Sequence, residues 1–213
     1  MIGRPNALLV VAPHPDDETI GAHTLMTRLH QRGVAVTVAI VSDGAASHPG
    51  SALWPKDRLV RERRAESRRA MRQIGIGAAR VRFLALPDGR LVEHATAIRR
   101  RLDAIVAALA RPALVLVPSP ADAHPDHRVV AGAIRRRPGV RWMRYPVWPV
   151  GQRLLGARAL RLSTQERLAK RQAIRRYRTQ AGRITDDPAG FAMTTHQIAA
   201  FSRAQEWLAD VGR

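Results

Sequence analysis

The sequence predicts an α/β fold of Rossmann-like type, a mostly parallel sheet flanked by helices. Three observations carry this. Continuous apolar runs of strand length recur along the chain, stretches with helical periodicity separate them, and 213 residues suit one domain with a sizeable core. Strand and helix in alternation are what a doubly wound sheet with right-handed crossovers produces.

Leu8-Leu9-Val10-Val11 is the first apolar run, bounded by turn formers as a strand buried on both faces should be. Helical spacing follows from Thr19 to Arg32. Val34 to Val41 reads as the second strand, Asp57 to Ile74 as a helix, Val81 to Leu86 as the third strand. Val92 to Ala110 is helical in pattern and Ala113 to Val117 is the fourth strand. Beyond Val129 a short helix is expected to Arg137, then a turn at Pro138-Gly139 and a strand from Val140 to Tyr145. The order then weakens. Pro146-Val147-Trp148-Pro149 reads as an extended loop, and Ser163 to Thr179 as a helix capped at Ser163 or Thr164 with Glu166 following. A last helix is expected after Thr195. With no internal repeat and no linker, a single domain over residues 1–213 is expected.

Composition narrows the chemistry. The chain has no cysteine, which leaves histidine and carboxylate as its strong metal ligands and excludes disulfides. The apolar stretch Ala7 to Ala12 is too short for a signal segment or a membrane span, so a cytoplasmic protein is expected. A formal net charge of +19 invites a polyanion partner. Lys56 and Lys170 are the only lysines, however, and arginine with abundant alanine is what a GC-rich coding sequence tends to produce. No basic-aromatic interleaving is present, so specific nucleic-acid binding is not expected. Arg171, Arg175 and Arg178 form a late helical stripe that is solvated on the plain reading and leaves peripheral contact with an anionic surface open.

Two segments stand out: Ala12-Pro13-His14-Pro15-Asp16-Asp17-Glu18 after the first strand, and His124-Pro125-Asp126-His127 soon after the fourth. Either alone is most simply a turn, because Pro fixes φ and Asp caps the next helix. Together they are hard to attribute to turn chemistry. Strand ends of a doubly wound sheet converge on one crevice, so the two segments can share a site. His14, Asp17 and His127 would supply the three ligands of a catalytic metal, which lowers the pKa of a bound water toward about 7. Asp16 stands beside Asp17 without being needed as a ligand and could accept that water's proton. His124 is then free to stabilise an oxyanion or protonate a leaving amine.

With these segments the chain resembles the PIG-L or LmbE-like deacetylase family, whose hallmark is a His-Pro-Asp-Asp segment after the first strand and a later His-Pro-Asp-His segment. Looser matches are Val41-Ser42-Asp43-Gly44, Arg63-Arg64-Ala65-Glu66 opening into a helix that ends at Ile74-Gly75, and Phe83-Leu84-Ala85-Leu86-Pro87-Asp88-Gly89. The resemblance implies the LmbE-like deacetylase fold, zinc held by His14, Asp17 and His127, Asp16 as general base, and His124 stabilising the tetrahedral intermediate with Asp126 orienting it. It implies hydrolysis of an acetamide on a small amino-sugar or glycoconjugate substrate. Another divalent metal such as Fe2+ is an alternative to zinc, and a homo-oligomer is left open.

Arg63 matches a family arginine that meets the substrate, with Glu66 one turn later as its partner or neighbour; the plain alternative is a surface ion pair worth a few tenths of a kcal/mol. Asp88 is a candidate contact to a substrate hydroxyl. Tyr145 and Trp148 follow the fifth strand, where aromatic faces could meet a sugar ring or pack into the core. His48 could border the pocket, although a loop histidine is the commoner reading. His23, His30, His94 and His196 read as structural or solvated. Rival functions are a metal-dependent amidase of larger conjugates, a non-haem iron oxygenase using the same ligand types, and a basic binding protein for nucleic acid or anionic surfaces.

Overall fold

The computed structural model describes residues 4–152 and 154–211. Five strands follow the apolar runs: β1 Ala7–Ala12, β2 Ala35–Ser42, β3 Val81–Leu86, β4 Ala113–Pro118 and β5 Val140–Tyr145. They pair in parallel in the order β3-β2-β1-β4-β5. Chain order reverses direction across the sheet at the β1/β4 boundary, which is the topological switch point where such sheets bind ligands.

Helices α1 Asp17–Gln31, α2 Lys56–Gln73 and α3 Ala95–Ala107 connect the strands. The sheet separates two apolar layers. Leu8, Val10 and Ala12 of β1 join one layer, and Leu9 and Val11 join the other, so alternate side chains of one strand serve both faces. Full burial of each such aliphatic side chain contributes about 1.5–3 kcal/mol, which fixes β1 at the centre.

The second half departs from expectation in three places. Helix α4 spans Pro125–Ala131, starting on the His-Pro-Asp-His segment itself and ending well short of Arg137. Pro125 at the first helical position and the His124 ring accepting from Asp126 N–H start it there. Helix α5, Thr164–Arg175, begins at Ser163 with a reciprocal capping box to Glu166, and α6 is Thr195–Phe201. Two strands were not expected: β6 Arg158–Arg161 and β7 Gln205–Asp210, the latter pairing antiparallel with both β5 and β6.

Strand β7 also reaches back into the first crossover. Ala22 breaks α1 with φ −143°, and Glu206 accepts from the freed N–H groups of Thr24 (2.8 Å) and Leu25 (3.0 Å). The buried Lys170 ammonium donates to the same carboxylate at 2.9 Å. One acidic side chain thus caps a helix break and neutralises a buried cation.

Candidate metal centre and active site

The loop after β1 and the loop after β4 meet over the switch point. His14 Nδ1, Asp17 Oδ2 and His127 Nε2 form a triangle with edges of 3.3, 3.2 and 3.2 Å. All three side chains are buried. With both rings neutral and their protons on the outward nitrogens that face carboxylates, two imidazole lone pairs and a carboxylate oxygen meet as three acceptors without a donor. A divalent cation would satisfy all three. Ligand atoms at about 2.0–2.1 Å from a tetrahedral zinc stand about 3.3 Å apart, which the observed edges match.

The outward nitrogens of both histidines face carboxylates. His14 Nε2 lies 2.9 Å from Asp88 Oδ1 and 3.4 Å from Asp126 Oδ2. His127 Nδ1 lies 3.2 Å from Asp122 Oδ2. Carboxylates behind metal-ligating histidines fix ring orientation and raise ligand basicity. Burial alone would lower the pKa of His14, but Asp126, Asp17 and Asp88 together raise it well above the ordinary value. Burial likewise opposes the His127 cation, yet Asp17 and Asp122 push that ring up to about 9. Asp17 is held well below the usual carboxylate range by the two rings, against the desolvation that would raise it.

Asp16 caps α1 with φ 129°, a left-handed conformation that a non-glycine residue adopts only under constraint. The constraint is visible: its N–H donates to Glu18 Oε2 at 2.9 Å, and Glu18 Oε1 accepts the Tyr177 hydroxyl at 2.7 Å. Burial pushes the Asp16 carboxyl well up, while Arg63, 3.7 Å away, pulls it back. The result is a carboxylate with raised proton affinity beside the donor triangle.

His124 stands beside both histidines, its ring centroid 4.7 Å from that of His14 and 5.0 Å from that of His127. Its Nδ1 accepts from Asp126 N–H at 3.2 Å, so the proton of the neutral ring sits on Nε2. Burial and the neighbouring His14 and His127 charges lower its pKa, keeping it a neutral donor. His14, His124 and His127 offer nitrogens within 4.8 Å of one another, as do His14, Asp88 and Asp126 with their ligand atoms.

Two expectations are corrected. Asp126 orients His124 only through its backbone; its carboxylate accepts from Gly89 N–H (2.8 Å) and Leu91 N–H (3.1 Å) and faces His14. Tyr145 does not face a substrate: its ring is fully buried against Gly21, and its hydroxyl donates to Val11 O at 2.7 Å. The strand register turns it into the core, where a bonded hydroxyl is needed. Trp148, three residues on, lines the cavity instead.

Arg63 lines that cavity, with its N–H groups on Gly44 O and Pro15 O at 2.8 Å each, bracing the two loops that carry the site. Glu66 does not pair with it; both Glu66 oxygens accept from Thr179, from N–H at 3.1 Å and from Oγ1 at 2.6 Å. Asp88 also lines the cavity, one oxygen on His14 and the other accepting from Ala46 N–H at 3.0 Å. His48 is buried beside Ser47, which lines the cavity while His48 does not. The sequence reading missed Asp122, which the Asp-x-His-Pro-Asp-His spacing could have offered, and Gln180, Phe191 and Met193, for which no local signal exists. The cavity measures about 200 Å³.

A doubly wound α/β protein with two histidines and an aspartate converging at its switch point is a scaffold on which a divalent metal can be held. The pattern of the PIG-L family, described as GlcNAc-PI de-N-acetylase, matches residues 9–137, and the chain belongs to that family. It is 33% identical over 91 residues to the 1D-myo-inositol 2-acetamido-2-deoxy-alpha-D-glucopyranoside deacetylase of Kineococcus radiotolerans, a match covering 41% of this chain and 25% of that protein. Over 124 residues it is 27% identical to diacetylchitobiose deacetylase of Thermococcus kodakarensis, covering 57% and 45% of the two chains. The matched segments thus span less than half the length of these curated relatives. Among solved structures, a triple mutant of a deacetylase of the teicoplanin biosynthetic pathway superposes with a TM-score of 0.70 at 21% identity, covering 96% of this chain and 97% of that one. That likeness shows the same fold.

Proposed function

We propose that this chain is a metal-dependent N-deacetylase that releases acetate from an N-acetylated amino sugar, and that it works as one catalytic domain over residues 1–213. The observation that carries the reading is the donor triangle of His14, Asp17 and His127 flanked by an acceptor, Asp16, and a neutral donor, His124. The names of the relatives in the PIG-L family support the amino-sugar class.

His14, Asp17 and His127 would hold a divalent ion, zinc with Fe2+ as the alternative, and the ion would acidify a water and polarise the acetamide carbonyl. Asp16 takes the proton released as water oxygen bonds to the acetyl carbon. His124 Nε2–H donates to the carbonyl oxygen as negative charge develops there. The carbon–nitrogen bond then breaks, and the proton held on Asp16 passes to the amine. Arg63 draws the Asp16 carboxyl back toward its ionised form against the burial that raises it, and Asp88, Asp122 and Asp126 face the two histidine rings from behind. A cavity of about 200 Å³ is smaller than the roughly 300–1,000 Å³ that encloses drug-sized ligands and suits an acetyl group with one ring, against a large buried conjugate.

The test is acetate release from a panel of N-acetylated amino sugars and their phosphorylated and nucleotide conjugates, with the zinc-loaded protein and its Asp16→Asn variant. Release by the wild type, reduced by at least about 100-fold in the variant with zinc still bound, is expected. Near-normal turnover by Asp16→Asn would remove the base assignment, and silence of the zinc-loaded wild type across the panel would move the reading to an amidase of larger conjugates.

A further inference from the structure

The cavity lining beyond the metal donors divides by chemistry. Ile20, Trp148, Phe191 and Met193 are apolar, with the Trp148 and Phe191 rings edge to face at 5.9 Å. Ser47 and Gln180 are polar. Gln180 is 2% exposed and held at several points: its N–H donates to Tyr177 O at 2.9 Å, its carbonyl accepts from Met193 N–H at 2.7 Å, and its Nε2 donates to Ser47 Oγ at 3.2 Å. The preceding residue, Thr179, is clamped by the buried Glu66 of α2. The bond to Ser47 uses Gln180 Nε2 and leaves Oε1 outside it.

A rigidly held amide at a cavity wall presents its oxygen as an acceptor in a fixed place for a donor that enters the cavity. Aromatic faces beside such an acceptor suit a ring with an apolar face and hydroxyl or N–H groups on its edge. We propose that Gln180 is a specificity-determining residue whose Oε1 accepts a hydrogen bond from a hydroxyl or N–H on a pyranose ring seated against Trp148 and Phe191. This rests on the deacetylase reading. It selects acetamido pyranosides over acetylated amines of the same shape that lack ring hydroxyls, because a site built to bond a polar group rejects the analogue without it.

The experiment compares methyl N-acetylglucosaminide with N-acetylcyclohexylamine, a ring of similar shape without hydroxyls, for the zinc-loaded wild type, Gln180→Met and Gln180→Glu. Gln180→Met keeps the volume and removes the acceptor; Gln180→Glu keeps an acceptor. Acetate release from the sugar is expected to fall about 10–100-fold in kcat/KM in Gln180→Met with release from the cyclohexyl compound unchanged, and Gln180→Glu is expected to retain the preference for the sugar. An equal loss on both compounds, or no loss on the sugar, overturns the proposal. Calorimetric binding of methyl glucosaminide to the same proteins separates the two readings. If no protein releases acetate but the wild type binds the sugar and Gln180→Met does not, the subsite stands and the deacetylase reading fails. If the wild type and Gln180→Met bind it equally, or the wild type binds none, the subsite fails.

Discussion

Asp122 Oδ2 stands 3.2 Å from Nδ1 of His127, with both side chains fully buried. The same oxygen accepts from Trp148 N–H at 2.9 Å, and Oδ1 accepts from His124 N–H at 3.0 Å. One carboxylate therefore joins a histidine of the candidate donor set, the backbone of His124 and the aromatic wall of the cavity. Asp122→Asn preserves size but exchanges an acceptor for an amide, and removal of such a partner typically costs 10–100-fold in metal affinity. We expect a zinc dissociation constant raised by about that factor, read by competition against a chelating dye. An unchanged constant would show that His127 needs no carboxylate behind it.

Much of this was legible in the chain. Three of the five parallel strands, β1, β2 and β4, are runs buried along almost their whole length, so their hydrophobicity is continuous and local, while β3 and β5 are only partly buried and carry arginines. The antiparallel pair was not legible, because β6 is mostly exposed and β7, Gln205–Asp210, carries the buried Glu206, whose burial makes sense only once the break at Ala22 and the Lys170 ammonium are seen beside it. The candidate donors His14, Asp17 and His127, whose side chains converge in the structure, could be picked out because each sits in a compact segment at a strand end. Gln180, Phe191 and Met193 reach the cavity from the last third of the chain by tertiary packing alone, and Tyr145 was misread because sequence places it near the site without saying which way its strand turns it.

Gly21 offers a test of that packing. Alanine in a helix is ordinarily favoured over glycine by about 0.8–1 kcal/mol. Here a Cβ at Gly21 would lie 2.1 Å from Tyr145 Cδ2, and the ring is held by its bond to Val11 O in a fully buried setting. Gly21→Ala is expected to destabilise the protein by about 1–3 kcal/mol, seen as a lower urea midpoint. Adding Tyr145→Leu should recover part of the loss, since contacting sites couple. A neutral Gly21→Ala would mean that the ring can move and that the α1–β5 contact is loose.

The acid limb of stability should carry the signature of His23. Burial drives its pKa down to about 4; the Glu206 carboxylate works against this and the Lys170 ammonium adds to it. Its Nδ1 is buried with no partner among the described residues, so a proton there has no acceptor to justify it. The folded value lies below that of the unfolded chain, about 6.5, so on acidification the unfolded state takes the proton first. Stability is therefore intact above about pH 6.5 and is lost as the pH falls toward about 4, by an amount on the order of 3 kcal/mol in full. His23→Leu removes the titrating ring without touching the metal donors. Urea unfolding of metal-free wild type and variant between pH 7 and 4 should show the variant losing less stability over this window, with the two curves parallel above pH 7. Equal losses would assign the acid sensitivity to the carboxylates and histidines of the donor triangle, and would mean that the pocket around His23 admits water in the folded state.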